Sequence, residues 1–291
     1  MIIDLLKVLI LSIVEGVTEF LPVSSTGHLI LVNQFVKLEP EGFSNAFNVI
    51  IQLGAILSVV VLYFERLNPW RKSKIRLPKN YSKLNGRSRA YFILTHPDKK
   101  TLNLWLKVIV GVLPAMVLGL LFDDLIDAYL FNPMTVAAML LIWGLIIIFV
   151  EKRNKNIKYE SLADVPYMTI LMIGFFQCLA MIPGTSRSAA TIMGAMILGL
   201  SRPAAAEFSF FLAIPTMLGA TLLKLVKNLG GFTGYQWLLI LIGMVLSFIV
   251  AFVVIKKFLS YVKKHDFIPF GIYRIILAVI VFVYFLLISK L

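Results

Sequence analysis

Two short stretches hold most of the side chains able to do chemistry. In EGVTEFLPVSSTGH (15–28), Glu15 and Glu19 stand four apart, so on a helix their carboxylates stack on one face, one turn before the break at Pro22. Two carboxylates so placed repel. The pair makes sense if it shares a divalent cation, Mg²⁺ or Ca²⁺, or if one of them is held protonated as an acid or base. Ser24, Ser25 and Thr26 follow, with His28 three residues beyond Ser25. A hydroxyl needs a base to become a nucleophile, and either His28 or Glu19 could reach one in a turn. The plainer alternatives are that the hydroxyls cap a helix and that the histidine bonds a helix end.

The second stretch, PGTSRSAAT (183–191), places Gly184 and hydroxyls ahead of a helix whose first amides would be free, with Arg187 in the first turn. Helix N-terminal amides favour negative charge, and a guanidinium offers fixed, bidentate donors suited to phosphate, to which Ser186, Ser188 and Thr191 can add hydroxyl bonds. Without a ligand, Arg187 would pair with Glu15 or Glu19. Taken together, these residues point to phosphoryl transfer on a membrane-embedded substrate. A cation on the carboxylates and Arg187 would neutralise diphosphate oxygens while a hydroxyl or water attacks the terminal phosphorus.

The elements that must position these groups are membrane elements. Of the 291 residues, 59% are hydrophobic and 15% charged, and the mean hydropathy is +0.90, which excludes an ordinary soluble domain and a disordered chain. The single cysteine, Cys178, excludes a disulfide scaffold. Six apolar stretches, about 44–64, 102–122, 134–150, 205–225, 235–257 and 269–289, approach the length a spanning helix needs. Two more, about 1–36 and 167–200, are interrupted midway by LPVSSTGH and IPGTSRSAAT. Irregular backbone at membrane depth is tolerated only where protein or a wet cavity surrounds it, so both read as re-entrant helical hairpins rather than as pairs of short helices. The expected fold is an all-α integral membrane protein of six transmembrane helices and two hairpins, a single membrane domain over 1–291.

If the spans alternate, the segments 66–100, 152–158 and 256–264 share a face, which gathers about 22 of the 28 Lys and Arg residues and is therefore cytoplasmic. Lys7, Lys37, Lys224, Lys227 and Lys290, together with Asp123, Asp124 and Asp127, fall on the outer side, as do both termini, and Arg187 lies within the membrane. The apolar start has no small-residue cleavage site and is not read as a removed signal peptide. The basic loop at about 65–101 suits anionic headgroups; its charge follows from topology, and nucleic acid is not expected as a partner.

Sliding the chain by 161 positions brings Pro22 onto Pro183, Ser25 onto Ser186 and Phe47 onto Phe208, while FNP (131–133) resembles FIP (267–269) at a smaller offset. The halves, about 1–152 and 165–291, each hold one hairpin and three spans. Three is odd, so the second half is inserted upside down, and the two hairpins meet near the midplane.

EGVTEFLPVSSTGH and PGTSRSAAT resemble the two signature motifs of the undecaprenyl-diphosphate phosphatases, the bacitracin-resistance family. IQLGAIL (51–57), LPAMVLGLLFDD (113–124), FFQCLAMIPG (175–184), EFSFFLAIP (207–215) and FIPFGIYR (267–274) extend the likeness nearly end to end. The resemblance implies a bacterial inner-membrane enzyme, built as an inverted repeat and dependent on a divalent cation. Such an enzyme removes the terminal phosphate of the C55 isoprenoid diphosphate to regenerate the cell-wall lipid carrier. It implies the E-x-x-x-E pair at Glu15 and Glu19, a hydroxyl and histidine at Ser25 and His28, and a phosphate-binding stretch at Ser186, Arg187, Ser188 and Thr191. Ser24, Thr26 and Gly184 are expected to touch substrate. The preferred roles are Ser25 as nucleophile, Glu19 and His28 sharing acid–base work, Glu15 with Glu19 on metal, and Arg187 on phosphate; Ser25 and His28 both stay open as the attacking group. Membrane lipids are the expected surroundings, the site faces outward, and a homodimer stays open. The rival from another class is a transporter or flippase of a polyprenyl phosphate lipid, which needs the anion site but no nucleophile. An intramembrane protease would leave Arg187 and the carboxylates without a task.

Overall fold

The computed structural model describes residues 1–71, 74, 75, 78, 81, 85–130, 132–153, 156–227 and 231–288. Lys72, Arg76, Lys79, Lys83, Phe131 and Lys290 lie outside the described residues, as do the side chains of Asp123, Asp124, Asp127, Lys224 and Lys227. The described chain is all-helical: α1 (Ile2–Thr18), α2 (Ser25–Val32), α3 (Glu41–Leu62), α4 (Phe64–Leu67), α5 (Gly86–Thr95), α6 (Lys99–Leu130), α7 (Pro133–Arg153), α8 (Tyr167–Cys178), a 3₁₀ turn (Leu179–Met181), α9 (Arg187–Ile197), α10 (Arg202–Lys227), α11 (Gly234–Val262) and α12 (Ile268–Ile288). Among the described residues, six helical segments are long and apolar enough to cross a membrane: α3, α7, α11, Lys99–Phe122 of α6, Arg202–Leu223 of α10 and Ile268–Leu287 of α12. They coincide with the six stretches expected from hydropathy, and they make this a multi-pass membrane protein.

The two interrupted regions break as the sequence requires. Helix α1 runs out at Thr18, and Pro22 stands where a helix would need an amide donor. Helix α2 then restarts behind Ser24, whose φ is 73° and whose hydroxyl accepts from Gly27 N at 3.3 Å. The second interruption ends in the same way: Ser186 has φ 72° and accepts from Ala189 N at 3.3 Å to cap α9. A left-handed non-glycine cap is strained, and among the described residues only these two serines adopt it. The conformational match therefore pairs Ser24 with Ser186, one position away from the sequence register that pairs Ser25 with Ser186, because Gly184 and Thr185 occupy the space that Val23 fills alone.

Packing uses small residues, as expected where lipid removes the hydrophobic gain between helices. Helices α1 and α3 pack on α11, α7 on α12, and α6 on α8. A Cβ on Gly54 of α3 would sit 2.1 Å from the Met244 carbonyl oxygen of α11, and Cβ atoms on Gly144 and Gly271 would sit 2.9 and 2.8 Å from each other's carbonyl oxygens, between α7 and α12. Helix α9 is buried from Ser188 to Met196, sheathed by α8, α10 and α7. At the ends of the spans, Glu151 of α7 binds Arg202 through three bonds of 2.6–3.0 Å and accepts from Phe267 N at 2.8 Å, tying α7, α10 and the start of α12.

Candidate active site

Both interruptions converge on one polar cavity of about 170 Å³, lined by Glu19, Ser25 and Thr26 from the first and Gly184, Ser186 and Arg187 from the second. Ser25 and Arg187 are each the first residue of their helix, so their side chains leave adjacent to unpaired amides. They meet at Glu19: Ser25 Oγ donates to Oε2 at 2.7 Å, and Arg187 Nη2 donates to Oε1 at 3.3 Å. Arg187 Nη1 is anchored on the Ser209 carbonyl at 2.9 Å, while its Nε, though buried, has no protein partner among the described residues. Two of the three guanidinium nitrogens are thus held by protein, and the group still has N–H bonds without a protein partner.

The other expected residues sit around the cavity rather than on it. Ser188 Oγ donates to the carbonyl of Leu21 at 2.8 Å, clasping the first turn to the second. Thr191 Oγ1 donates to Ser209 Oγ at 2.6 Å. Ser24 is engaged as the α2 cap. His28 Nδ1 lies 2.7 Å from the Ser24 carbonyl, which can only accept, so Nδ1 carries the proton and Nε2 accepts from Tyr273 OH at 2.6 Å. Both ring nitrogens are therefore engaged away from Ser25.

Three residues to which sequence reasoning gave no role belong to this region. Tyr273 stacks on His28 with ring centroids 5.6 Å apart. Its neighbour Arg274 is fully buried and donates to the carbonyls of Pro22 (3.3 Å), Gly184 (2.7 Å) and Thr185 (3.0 Å), joining the two turns through α12. Gln52 of α3 also lines the cavity. Arg274 lies inside an expected span, and the cost of an intramembrane charge could have singled it out. Tyr273 and Gln52 carry no such signal, since a single polar group in an apolar helix is common.

Glu15 is completely buried, and among the described residues neither of its carboxylate oxygens has a hydrogen-bond partner. Glu19 lies near enough to repel it and Arg187 near enough to attract it. A buried carboxylate with no donor calls for a proton or a cation. Among the described residues no three His, Cys, Asp or Glu side chains gather into a metal cluster. Two carboxylates nevertheless fit Mg²⁺, which takes one or two of them and completes its shell with water and substrate phosphates. The donor set is thus compatible with a divalent cation held by Glu15 and Glu19.

The chain matches the family described as bacitracin resistance protein BacA over residues 8–280. It belongs to the BacA family. Both interrupted turns, and Tyr273 and Arg274 with them, fall inside the BacA match. Undecaprenyl-diphosphatase 1 of Clostridioides difficile (strain 630) is 51% identical over 287 residues, covering 98% of each chain. The undecaprenyl-diphosphatase of Fusobacterium nucleatum subsp. nucleatum is 53% identical over 284 residues, 95% of this chain and 98% of its own. That of Limosilactobacillus fermentum is 49% identical over 292 residues, 98% and 99% respectively.

Proposed function

We propose that this BacA-family chain hydrolyses the terminal phosphate of undecaprenyl diphosphate in the bacterial inner membrane. The product, undecaprenyl phosphate, returns to cell-wall synthesis, and the consumption of the diphosphate confers bacitracin resistance. The observation that carries the reading is the convergence of Ser25, Glu19 and Arg187 in one cavity, beside relatives named for this activity. The cavity has room for phosphates and not for a C55 chain, so the prenyl tail stays among the helices and lipid.

In this mechanism Arg187 and the first amides of α9 hold the diphosphate oxygens. Glu19 Oε2 takes the proton of Ser25 as Oγ forms a bond to the terminal phosphorus. The bond from that phosphorus to the bridging oxygen breaks, and its electron pair leaves on undecaprenyl phosphate. Water then attacks the phosphoserine, releasing inorganic phosphate and returning a proton to Ser25. His28, fixed by Ser24 and Tyr273, holds the turn that presents Ser25, which favours Ser25 over His28 as the attacking group. A divalent cation on Glu15 and Glu19 would supply charge neutralisation for the diphosphate.

The topology follows the same reading. The matching serine caps and the buried α9 support two re-entrant hairpins related by an inverted repeat, with halves at about 1–152 and 165–291. The basic 65–101 segment then lies in the cytoplasm and the reaction cavity opens outward. A homodimer would leave the chemistry unchanged, since every group named comes from one chain. The experiment is phosphate release from undecaprenyl diphosphate, with acid-quenched protein from β-phosphate-labelled substrate examined for label on Ser25. Label absent from wild type during turnover, or present in Ser25→Ala, overturns the serine step.

A further inference from the structure

Where the 65–101 segment leaves the helices, an apolar groove of about 640 Å³ opens between α3, α4, α6 and α10, sharing no lining residue with the reaction cavity. Trp70, Trp105, Phe64, Leu67, Leu102 and Ile214 line it. Its indoles are fixed by their polar edges: Trp105 Nε1 donates to the Leu67 carbonyl at 2.9 Å and Trp70 Nε1 to that of Leu94 at 3.3 Å. Trp70 and Phe64 remain 46% and 56% exposed, so the groove is open to its surroundings. Indoles in this posture, apolar body inward and N–H on a carbonyl, mark the interfacial depth of a bilayer.

The edge of the groove is cationic. Lys74 Nζ is held by the carbonyls of Arg66 (3.1 Å) and Asn68 (3.5 Å) and by Thr101 Oγ1 (3.0 Å). Asn68 lines the groove, and Thr101 precedes the lining residue Leu102. Lys99 stands one turn ahead of Leu102 on the same face of α6, exposed and, among the described residues, without an ion-pair partner. Glu65 pairs with Arg71 and Glu207 with Arg66, while Asp98, which accepts twice from Thr101, offsets part of the Lys74 charge and leaves Lys99 unopposed. Residues 65–100 hold eleven basic side chains against two acidic ones.

An apolar slot with cationic side chains at its interfacial edge complements one kind of molecule. We propose that this groove binds an anionic diacyl phospholipid of the adjoining leaflet, with an acyl chain along Trp70 and Trp105 and the headgroup at Lys74 and Lys99. A zwitterionic phospholipid gains the apolar contact without the charge, so the site discriminates by headgroup. The inference does not depend on the phosphatase reading.

The chain's four tryptophans provide the test. In a Trp143→Phe/Trp237→Phe protein the remaining emission comes from Trp70 and Trp105, and lipid brominated on its acyl chains quenches an indole it touches. Brominated phosphatidylglycerol is expected to quench at a mole fraction lower than brominated phosphatidylcholine by about fivefold for each basic side chain engaged. Lys74→Gln/Lys99→Gln in that protein is expected to abolish the difference while leaving quenching itself. Equal quenching by the two lipids overturns the proposal, as does quenching relieved by undecaprenyl diphosphate and not by unbrominated phosphatidylglycerol. Should the reporter protein not fold, native mass spectrometry of wild type from mixed micelles decides: a retained phosphatidylglycerol lost in the double lysine variant supports the site, and indiscriminate retention refutes it.

Discussion

Replacing Glu19 by glutamine, at saturating cation, probes the proton-transfer step. The amide fills the same volume and its oxygen can still accept from Ser25, so the 2.7 Å contact and the turn that presents it survive. What disappears is the base and one of the two carboxylates that would hold the cation, so turnover is compared at saturating Mg²⁺ or Ca²⁺. General-base catalysis contributes about 10²–10⁴-fold, or about 2.7–5.4 kcal/mol of barrier. Glu19→Gln should therefore lower kcat by that factor for undecaprenyl diphosphate in detergent, with KM changed by less than about threefold because Arg187 and the α9 amides still hold the substrate. Folding should be little affected: the substitution loses the 3.3 Å contact of a carboxylate with Arg187 and relieves the repulsion from Glu15, two opposed effects. Thermal denaturation in the same detergent checks that the loss is chemical. A variant of wild-type stability retaining more than about one third of kcat would refute the assignment of Glu19 as base.

Glu15→Gln should raise the cation concentration for half-maximal activity by at least about tenfold, read by titrating Mg²⁺ or Ca²⁺ into chelated protein. Tyr273→Phe removes one hydrogen bond on His28 and should cost about 0.5–1.5 kcal/mol of stability, read by thermal denaturation in detergent, with kcat falling by no more than about 12-fold. Arg274→Met leaves the carbonyls of Pro22, Gly184 and Thr185 without their donor, so it should cost at least about 3 kcal/mol of stability, and activity should fall with folded yield. Gly54→Leu drives a side chain into the Met244 carbonyl, and the resulting separation of α3 from α11 should abolish folded protein in a fluorescence-detected size-exclusion assay.

The spans were legible because a twenty-residue apolar run has few alternatives in a bilayer, and all six stretches expected from hydropathy emerged as helices. The interruptions were legible because Pro22 and Pro183 stop a helix and the serines that follow can restart one. Glu19, Ser25 and Arg187 could be named from type and spacing, but not their triangle, since Arg187 and Glu19 are 168 residues apart and nothing local sets their distance. His28 looked like a base because it stands one turn from Ser25; its partner Tyr273, 245 residues away, is invisible to spacing. Arg274 was passed over although it sits within an expected span, because its partners are backbone carbonyls and carry no sequence signature. Lys107 is a similar case, buried inside the second span with its ammonium on the carbonyls of Leu162 and Ala163. Hydroxyl identity aligns Ser25 with Ser186, whereas the left-handed backbone is shared by Ser24 and Ser186, a conformational match that residue types alone do not carry.

Release of inorganic phosphate from undecaprenyl diphosphate by the purified protein, with Mg²⁺ or Ca²⁺ and with chelator, tests the central claim most directly when wild type is compared with Ser25→Ala and Arg187→Ala. The account predicts cation-dependent turnover by wild type and at least about a hundredfold loss in each variant while both remain folded. Wild-type protein that is folded and binds the lipid but releases no phosphate under either cation would contradict it, and would leave a carrier of lipid phosphates in place of an enzyme.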